Sequence, residues 1–396
     1  MTTLIDLVNF NADGSCLDAG AWLLALRGGE AAPFHRWLVL YVELRKKVVL
    51  GLTGATIADV ATFNPRAIEL INEHPEVFEL IVRPFSHDIP LLRSRLGFLR
   101  NLELGLEIAT RELRDVTRFY LPPEFMLTNE QVALLDERGI TGVAVNAARF
   151  SHELQQRIPD VPYKVRGLDG RTLNCLPVHG ILTQRYLDAL HVHDAGPWCT
   201  AIRELGRDRL VSWRDGESSF LLPDGLQRER CWLQGERGVE RVHLRESRED
   251  YVEPDRLPDR AYHSYPVHSF TAWMKEFRML GYIGRIQRLE EELPDFDVDE
   301  LALWLQAINS DVLSAVEKRS PVVALTRSPD ARETTSYTLL RSERAFEGEE
   351  YLVILEALRL DRGRRGPLER LLRSGAPHAI KLGARRDSVA RVLRME

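Results

Sequence analysis

Two segments of the chain end in carboxylates that could carry out acid–base chemistry. The first is Val116-Thr-Arg-Phe-Tyr-Leu-Pro-Pro-Glu124, and the second is Leu210-Val-Ser-Trp-Arg-Asp215-Gly-Glu217. Each has the pattern of a short apolar strand that runs into a carboxylate and then into a turn. Two carboxyl groups are the usual minimum for cleaving a glycosidic bond. The segments therefore favour an enzyme that acts on carbohydrates, with Glu124 and Asp215 as candidate catalytic residues.

Other polar or aromatic residues lie at or just beyond the ends of strand candidates and could bind a substrate. They are Asn9, Asn11, Asp13, Arg83, His87, Trp213 and Glu217. Because the carboxyl ends of the strands in a parallel barrel meet at one rim, we expect these side chains to surround the two carboxylates. Amide, guanidinium and imidazole groups can hydrogen-bond the hydroxyls of a sugar.

The elements that must position these residues alternate between strands and helices up to about residue 220. Apolar patterns predict strands over residues 4–10, 48–52, 78–82, 116–121, 142–145, 173–176 and 210–213. Helices are predicted over residues 19–26, 34–45, from 55 onwards and, most clearly, over 92–113. This alternation predicts a parallel sheet, and about seven such units suggest closure into a barrel. An open doubly wound sheet is the alternative, but no Gly-rich phosphate loop follows the first strand.

The pattern changes beyond residue 220. Helices are predicted over residues 270–289 and 298–316, and strands over 335–340 and 351–357. The expected fold class is α/β: a (β/α) barrel of about seven units, then a helical region, then a small C-terminal α/β appendage. We predict the barrel over residues 1–265, a helical region over 266–320, and the C-terminal subdomain over 321–396.

The composition is that of an ordinary soluble globular protein. The 53 basic and 59 acidic residues give a net charge of −6, which gives no general reason to expect a nucleic acid as partner. We expect no membrane contact, because the longest apolar runs are too short to cross a bilayer. The first residues lack the pattern of a signal peptide, and the four cysteines are widely spaced. These features predict a cytoplasmic location with reduced thiols.

The order of the motifs resembles that of glycoside hydrolase family 57. Leu52-Thr-Gly54 is followed by Phe85-Ser-His87-Asp-Ile-Pro-Leu, by Asn101-Leu-Glu-Leu-Gly-Leu-Glu107 and by Leu121-Pro-Pro-Glu124. The resemblance covers roughly residues 1–320. It implies an incomplete seven-stranded barrel, a retaining mechanism on α-glucans and a helical region, over residues 266–320, that closes the active site.

The resemblance also implies roles for individual residues. Glu124 matches the family nucleophile, and Asp215 of Asp215-Gly-Glu-Ser-Ser-Phe220 matches the acid/base, with one extra residue before the Phe. The family's first strand ends in a His-Phe-His-Gln-Pro-like motif, which here reads Asn9-Phe10-Asn11-Ala-Asp13. Both histidines are asparagines in this chain, so the contacts to the sugar have changed.

Structural explanations exist for several of the same residues. Glu124 could favour the dipole of a following helix, His87 could cap one, and Asp215-Gly216 is also a turn signal. Trp213 could stack on a sugar or pack in the core. His191-Val-His193-Asp194 lacks a third ligand motif, so a solvated loop is favoured over a metal site.

These observations leave three functions open. The first is a retaining enzyme that cleaves or transfers α-linked glycosyl units. The second is a barrel enzyme for a small sugar-containing metabolite, and the third is a non-catalytic sugar-binding protein. We expect a carbohydrate substrate, no cofactor and no metal, while self-association of the chain stays open. No H-x-x-x-H occurs, which argues against a metal-dependent polysaccharide deacetylase.

Overall fold

The computed structural model describes residues 2–11, 19–146, 150–151, 156–157, 161–221, 224–247, 250–251, 277–309 and 348–394. The strands in these residues are β1 (Thr2–Phe10), β2 (Val48–Leu52), β3 (Phe78–Val82), β4 (Thr117–Tyr120), β5 (Gly142–Asn146), β6 (Phe150–Ser151), β7 (Gln156–Arg157), β8 (Tyr163–Arg166), β9 (Thr172–Val178), β10 (Arg209–Asp215) and β11 (Val239–Arg241). The first ten helices are α1 (Ala19–Leu26), α2 (Pro33–Leu44), α3 (Gly54–Phe63), α4 (Pro65–Glu73), α5 (Arg95–Glu112), α6 (Asn129–Glu137), α7 (Gly180–Val192), α8 (Gly196–Leu205), α9 (Ser218–Leu221) and α10 (Gly225–Gly235). They are followed by α11 (Phe277–Glu290), α12 (Val298–Ala307), α13 (348–360), α14 (Gly366–Arg373) and α15 (Pro377–Leu393).

Within the described residues, seven parallel strands form the barrel in the order β10-β1-β2-β3-β4-β5-β9. β8 pairs antiparallel with β9, and β11 adds to the first residues of β1. The two end strands meet where the backbone N–H of His179, just after β9, donates to the carbonyl oxygen of Val211 in β10 at 2.8 Å. The predicted incomplete barrel is therefore confirmed, and the open-sheet alternative is wrong.

Side chains of β1 alternate between the inside of the barrel and the surrounding helices. Ile5 and Leu7 join an apolar cluster inside the barrel, whereas Leu4 and Val8 join the core under the helices. Because successive residues of a strand point to opposite faces, Asn9 continues the inner row at the C-terminal end of β1. The strand patterns thus decide which polar residues reach the rim.

A fully buried network of charges lies on the outer side of β1 and β10. The Asp6 carboxylate pairs with Arg214 at 3.2 Å and with Arg241 at 2.6 Å, and Arg214 also pairs with Glu229 at 3.1 Å. Burial alone would raise the pKa of Asp6, but the two guanidinium charges outweigh it and lower the pKa to about 2. The network fixes β10 against α10 at the position next to Asp215.

The predicted helix over residues 92–113 is confirmed as α5, but not every leucine of its apolar pattern is buried. Leu96 is 46% exposed, whereas Asn101, Gly105 and Ile108 are buried. The reason is that α5 packs closely on the segment after β3. Gly105 allows the two backbones to approach, and the amide of Asn101 hydrogen-bonds the backbone of that segment. A Cβ at Gly105 would lie 2.4 Å from the carbonyl oxygen of Arg83.

Gly105→Ala is therefore expected to destabilise the protein by about 1–3 kcal/mol, because the added methyl group must displace backbone atoms of the segment after β3. Urea unfolding would measure the change. Gly383→Ala is the matched control: Gly383 lies within α15, and a Cβ there meets no atom within 4 Å among the described residues. The control is expected to be neutral or stabilising by about 0.5–1 kcal/mol. Equal effects of both substitutions would contradict the prediction.

The C-terminal part of the described chain is helical. The predicted strand over residues 351–357 is wrong, because these residues belong to α13. Tyr351, Leu352, Leu355 and Leu358 are buried, and this spacing is typical of one helix face. The predicted strand over 335–340 lies outside the described residues.

The helices beyond the barrel pack on the barrel's own helices. α15 contacts α1, α3, α5 and α12, and buried Arg385 of α15 lies 3.5 Å from Asp59 of α3. The predicted helices over 270–289 and 298–316 correspond to α11 and α12, and α12 ends at Ala307, before the predicted end. The boundaries of the three predicted regions stay a prediction. Over the described ranges, no helix is long and apolar enough to cross a membrane.

Candidate active site

Asp215 and Asn9 meet at the carboxyl ends of two neighbouring strands. The pairing of β1 with β10 places them side by side, and the Asn9 amide Nδ2 donates to Asp215 Oδ1 at 3.0 Å. The backbone N–H of Gly216 also donates to the Asn9 carbonyl oxygen at 2.8 Å, which fixes the turn after Asp215. Burial raises the pKa of the Asp215 carboxyl, against the opposing effects of the Asn9 hydrogen bond and the Arg83 charge. Asp215 therefore holds a proton to a higher pH than an exposed aspartate does.

Glu124 lies in a strained turn after β4. It occupies a short 3-10 turn (Pro123–Phe125), and both Glu124 and Phe125 have φ of +53°. Left-handed backbone at a residue other than glycine costs on the order of 1–3 kcal/mol and is concentrated at functional sites. The alternative role at a helix N-terminus is wrong, because α6 begins at Asn129 and is capped by Thr128.

His87 lies between Asn11 and Glu124. Asn11 Nδ2 is 2.6 Å from His87 Nδ1, and His87 Nε2 is 4.0 Å from Glu124 Oε1. With the amide nitrogen donating to Nδ1, the neutral ring carries its proton on Nε2, which faces Glu124. His87 is not a helix cap, since α5 is capped by Ser94. The segment before His87 is clamped by Asn101, whose side chain binds both the N–H and the carbonyl of Ser86 at 2.7 and 3.0 Å.

Arg83 brings a positive charge to the same rim. Its Nη1 donates to the carbonyl oxygen of Leu121 at 2.7 Å, and the side chain is only 3% exposed. Burial lowers the pKa of the guanidinium to about 10, and the charges of Asp215 and Glu124 act on it in the opposite direction. Arg83 thus lies within electrostatic reach of both candidate catalytic carboxylates.

Three further residues were predicted to bind the substrate, namely Trp213, Glu217 and Asp13. Trp213 is half-buried at the inner side of β10 and packs edge-to-face on Phe125, with ring centroids 5.3 Å apart. Glu217 is buried in the turn after Asp215. Asp13 lies outside the described residues. The structure therefore brings Asn9, Asn11, Arg83, His87, Glu124 and Asp215 together, while their roles in chemistry stay a prediction.

The sequence-based reasoning missed two residues at this rim. Phe125 shares the strained turn with Glu124 and contacts Trp213. Asp88 is 1% exposed, and burial raises the pKa of its carboxyl to about 7 although the charge of Arg93 lowers it. In the sequence, Phe125 follows Glu124 and Asp88 follows His87. This adjacency to predicted site residues was the only signal in the sequence that pointed to them.

Asp88 is expected to make stability depend on pH. Its folded pKa of about 7 lies above the ordinary value of 3.8, so its contribution is fully present below about pH 4 and is lost as the pH rises to about 7. Asp88→Asn removes this ionisation. The free energy of unfolding of the variant should therefore rise relative to that of the wild type as the pH increases from about 4 to about 7. Urea unfolding at several pH values would measure the margin. A margin that stays constant with pH would contradict the prediction.

Helix α11 is attached to the segment that carries His87 and Asp88. Glu290 at its end forms a fully buried ion pair with Arg93 at 2.6 Å and accepts from the backbone N–H of Ser94 at 2.8 Å. Gln287 of the same helix donates to the carbonyl oxygen of Leu92 at 3.0 Å. The region after the barrel is thus held against the rim where the candidate site lies.

In the part of the chain that the structure describes, no group of three or more His, Cys, Asp or Glu side chains could hold a metal ion. His191 lies in the last turn of α7, and His193 ends that helix in a left-handed conformation. Both side chains are exposed. The segment predicted as a solvated loop is therefore partly helical.

Comparison with known proteins gives structural but no sequence matches. No family model matches the sequence, and no curated protein does. A branching enzyme of the glycoside hydrolase family 57 type from Pyrococcus horikoshii superimposes with a TM-score of 0.64 at 10% identity, over 98% of this chain and 95% of that one. An exo-type maltose-forming amylase from Pyrococcus sp. ST04 gives 0.58 at 14% identity, over 93% and 83%.

A 4-alpha-glucanotransferase from Thermococcus litoralis gives a TM-score of 0.55 at 14% identity, over 88% of this chain. The chain spans only 60% of that enzyme's length. At sequence identities this low, the superpositions establish a common fold and leave the activity open. The chain therefore shares the fold of these three enzymes, and the predicted resemblance to glycoside hydrolase family 57 is confirmed at the level of the fold.

Proposed function

We propose that this protein is a retaining carbohydrate-active enzyme that cleaves or transfers α-linked glycosyl units. The observation that carries the proposal is that Glu124, in a strained turn, and Asp215, whose pKa is raised, are both partly buried and both act on the charge of Arg83 at one rim of the barrel. The general acid of a retaining enzyme needs a raised pKa of this kind, whereas the nucleophile has to be ionised. The family 57 fold and the matching sequence motifs support the same assignment.

In this mechanism Asp215 donates its proton to the glycosidic oxygen while Glu124 attacks the anomeric carbon. The leaving group departs with the proton, and a covalent glycosyl-enzyme forms. Asp215, now ionised, takes a proton from water or from a second sugar, which attacks the same carbon and releases Glu124. The charge of Arg83 and the Nε2 proton of His87 favour the ionised form of Glu124 before attack.

The experiment that tests the proposal is incubation of the wild type with maltooligosaccharides and aryl α-glycosides. Chromatography would give the product sizes, and NMR the anomeric configuration of the first product. Retention of the α configuration is expected, and products longer than the substrate would indicate transfer. An inverted product, or no turnover of either class by a folded protein, would overturn the proposal.

A further inference from the structure

A cavity of about 400 Å³ lies between α2 and α10. Its polar lining consists of Glu30, His35, Arg36, Glu43, Gln227 and Arg230, and its apolar lining of Val39, Leu40 and Leu226. Several of these side chains are exposed to solvent, so a ligand can enter. The volume lies within the range of about 300–1,000 Å³ that is usual for small-molecule sites. None of the lining residues belongs to the candidate active site, so the cavity is a separate place for a ligand.

Contacts between the two helices hold the walls of the cavity in place. Arg36 and Glu43 are seven residues apart in the sequence and therefore lie on the same face of α2. Glu43 pairs with Arg230 of α10 at 2.6 Å, across the groove between the helices. Beside it, the Tyr41 hydroxyl of α2 donates to Glu229 Oε1 of α10 at 2.7 Å, in the buried charge network. The cavity is thus formed by the fold itself and needs no ligand to shape it.

His35 brings unused hydrogen-bonding capacity to this cavity. Its side chain is only 6% exposed, and Nδ1 of its ring is buried without a hydrogen-bond partner in the part of the chain that the structure describes. The other nitrogen, Nε2, is not fully buried and forms no hydrogen bond to a described residue. A buried imidazole without a partner is unfavourable for the fold, and an apolar side chain would avoid this cost. The ring is therefore suited to bind a ligand through Nε2.

The charges around the cavity balance each other. Glu43 and Arg230 form an ion pair, whereas Arg36 and Glu30 are exposed and have no ion-pair partner among the described residues. An anion bound at Arg36 would share the cavity with two carboxylates, and a cation bound at Glu30 would share it with two guanidinium groups. A neutral ligand avoids both repulsions, so the charge balance favours one.

The lining also matches a ligand with many hydroxyl groups. Six of the nine lining side chains are polar, whereas small-molecule sites are usually lined mainly by apolar groups. The guanidinium groups and the Gln227 amide donate hydrogen bonds, and the carboxylates accept them. Each hydroxyl of a sugar can both donate and accept, so it can use either kind of partner. The apolar side chains can contact the C–H groups of a sugar ring.

We propose that this cavity is a second carbohydrate-binding site, which holds a neutral oligosaccharide by hydrogen bonds to Nε2 of His35, to Arg36 and to Glu30. The inference goes beyond the proposed function, because the cavity shares no residue with the candidate active site. Only the choice of an α-linked oligosaccharide as the probe rests on the proposed function.

The test is a calorimetric titration of maltotetraose into the Glu124→Gln protein, whose active site is expected to bind the sugar without turnover. Two molecules per chain are expected, one at the active site and one in the cavity. Adding Arg36→Ala should weaken one of the two by about 10- to 100-fold, the effect of a hydrogen bond to a charged group. Arg391→Ala is the matched control and should weaken neither, because Arg391 is an exposed arginine of α15 that does not line the cavity.

His35→Leu is a second variant in the same Glu124→Gln protein. It removes both ring nitrogens and keeps an apolar side chain on α2, so it should weaken the same binding event by at least about tenfold. The free energy of unfolding should stay the same or rise, since the imidazole has no hydrogen-bond partner among the described residues. Urea unfolding would confirm that the loss of binding is not a loss of folding.

The outcomes separate this inference from the proposed function. A single binding event that Arg36→Ala and His35→Leu both weaken would support the cavity as a sugar site and count against a sugar at the active site. A single event that both variants leave unchanged would overturn the inference and leave the proposed function standing. Absence of any binding of maltotetraose would also overturn it. Binding of inorganic phosphate that Arg36→Ala abolishes would contradict the assignment of a neutral ligand.

Discussion

Glu124→Gln is expected to lower kcat/KM by at least about 10³-fold on any substrate that the wild type cleaves, which corresponds to about 4 kcal/mol of transition-state stabilisation. The amide keeps the size of the side chain and its place in the turn after β4, but it cannot attack the anomeric carbon. The folded structure should be retained, because glutamine adopts the same left-handed backbone with no greater strain than glutamate. Initial rates on an aryl α-glycoside, with circular dichroism as a check of folding, would measure the effect.

Asp215→Asn gives the companion result. Loss of the general acid should slow cleavage by about 10²- to 10⁴-fold for a poor leaving group and much less for a nitrophenolate, which needs no proton. Glu130→Gln serves as the control, because Glu130 is an exposed residue in the first turn of α6. If Glu124→Gln kept more than a tenth of the wild-type rate, the assignment of the nucleophile would be wrong.

Arg214→Met is expected to have the largest effect on stability, a loss of about 3–5 kcal/mol in the free energy of unfolding. Arg214 is 1% exposed and contacts the carboxylates of both Asp6 and Glu229. Methionine fills part of its volume but leaves the two buried carboxylates without that charge. Urea unfolding followed by tryptophan fluorescence would measure the loss.

Arg230→Met on α10 is the matched control. Arg230 pairs with Glu43 at 2.6 Å, but the two side chains are 36% and 51% exposed. Solvent screens such a pair, so its loss should change stability by less than about 1 kcal/mol. Similar small changes in both variants would mean that the buried network contributes little, contrary to the prediction.

The strands of the barrel were predictable because each of them has an apolar pattern within its own short segment of the sequence. The patterns over residues 48–52 and 78–82 match β2 and β3, and the pattern over 19–26 matches α1. Apolar runs of this length, bounded by turns and alternating with helices, have few alternatives to a parallel sheet. The strand predicted over residues 351–357 failed because a short apolar run fits a buried helix equally well, and the packing of α13 decided between them.

The candidate site was predictable as a set of residues but not as an arrangement. The ends of strands supplied Asn9, Arg83 and Asp215, because parallel strands bring their carboxyl ends to one rim. Which of them touch depends on strand register, and the pairing of Asn9 with both Asp215 and Gly51 appears only in the folded sheet.

The amino-acid sequence by itself therefore determined the seven strands of the barrel, the helices α1, α2, α3 and α5, and the residue types at the rim. The tertiary structure decided the left-handed backbone of Glu124, the ion pair of Arg93 with Glu290 and the hydrogen bond from Arg83 to the carbonyl oxygen of Leu121. The physical reason is that apolar periodicity is local, whereas hydrogen-bond partners and burial are set by segments distant in the chain. Arg93 and Glu290 are 197 residues apart, and no pattern within either segment indicates the other.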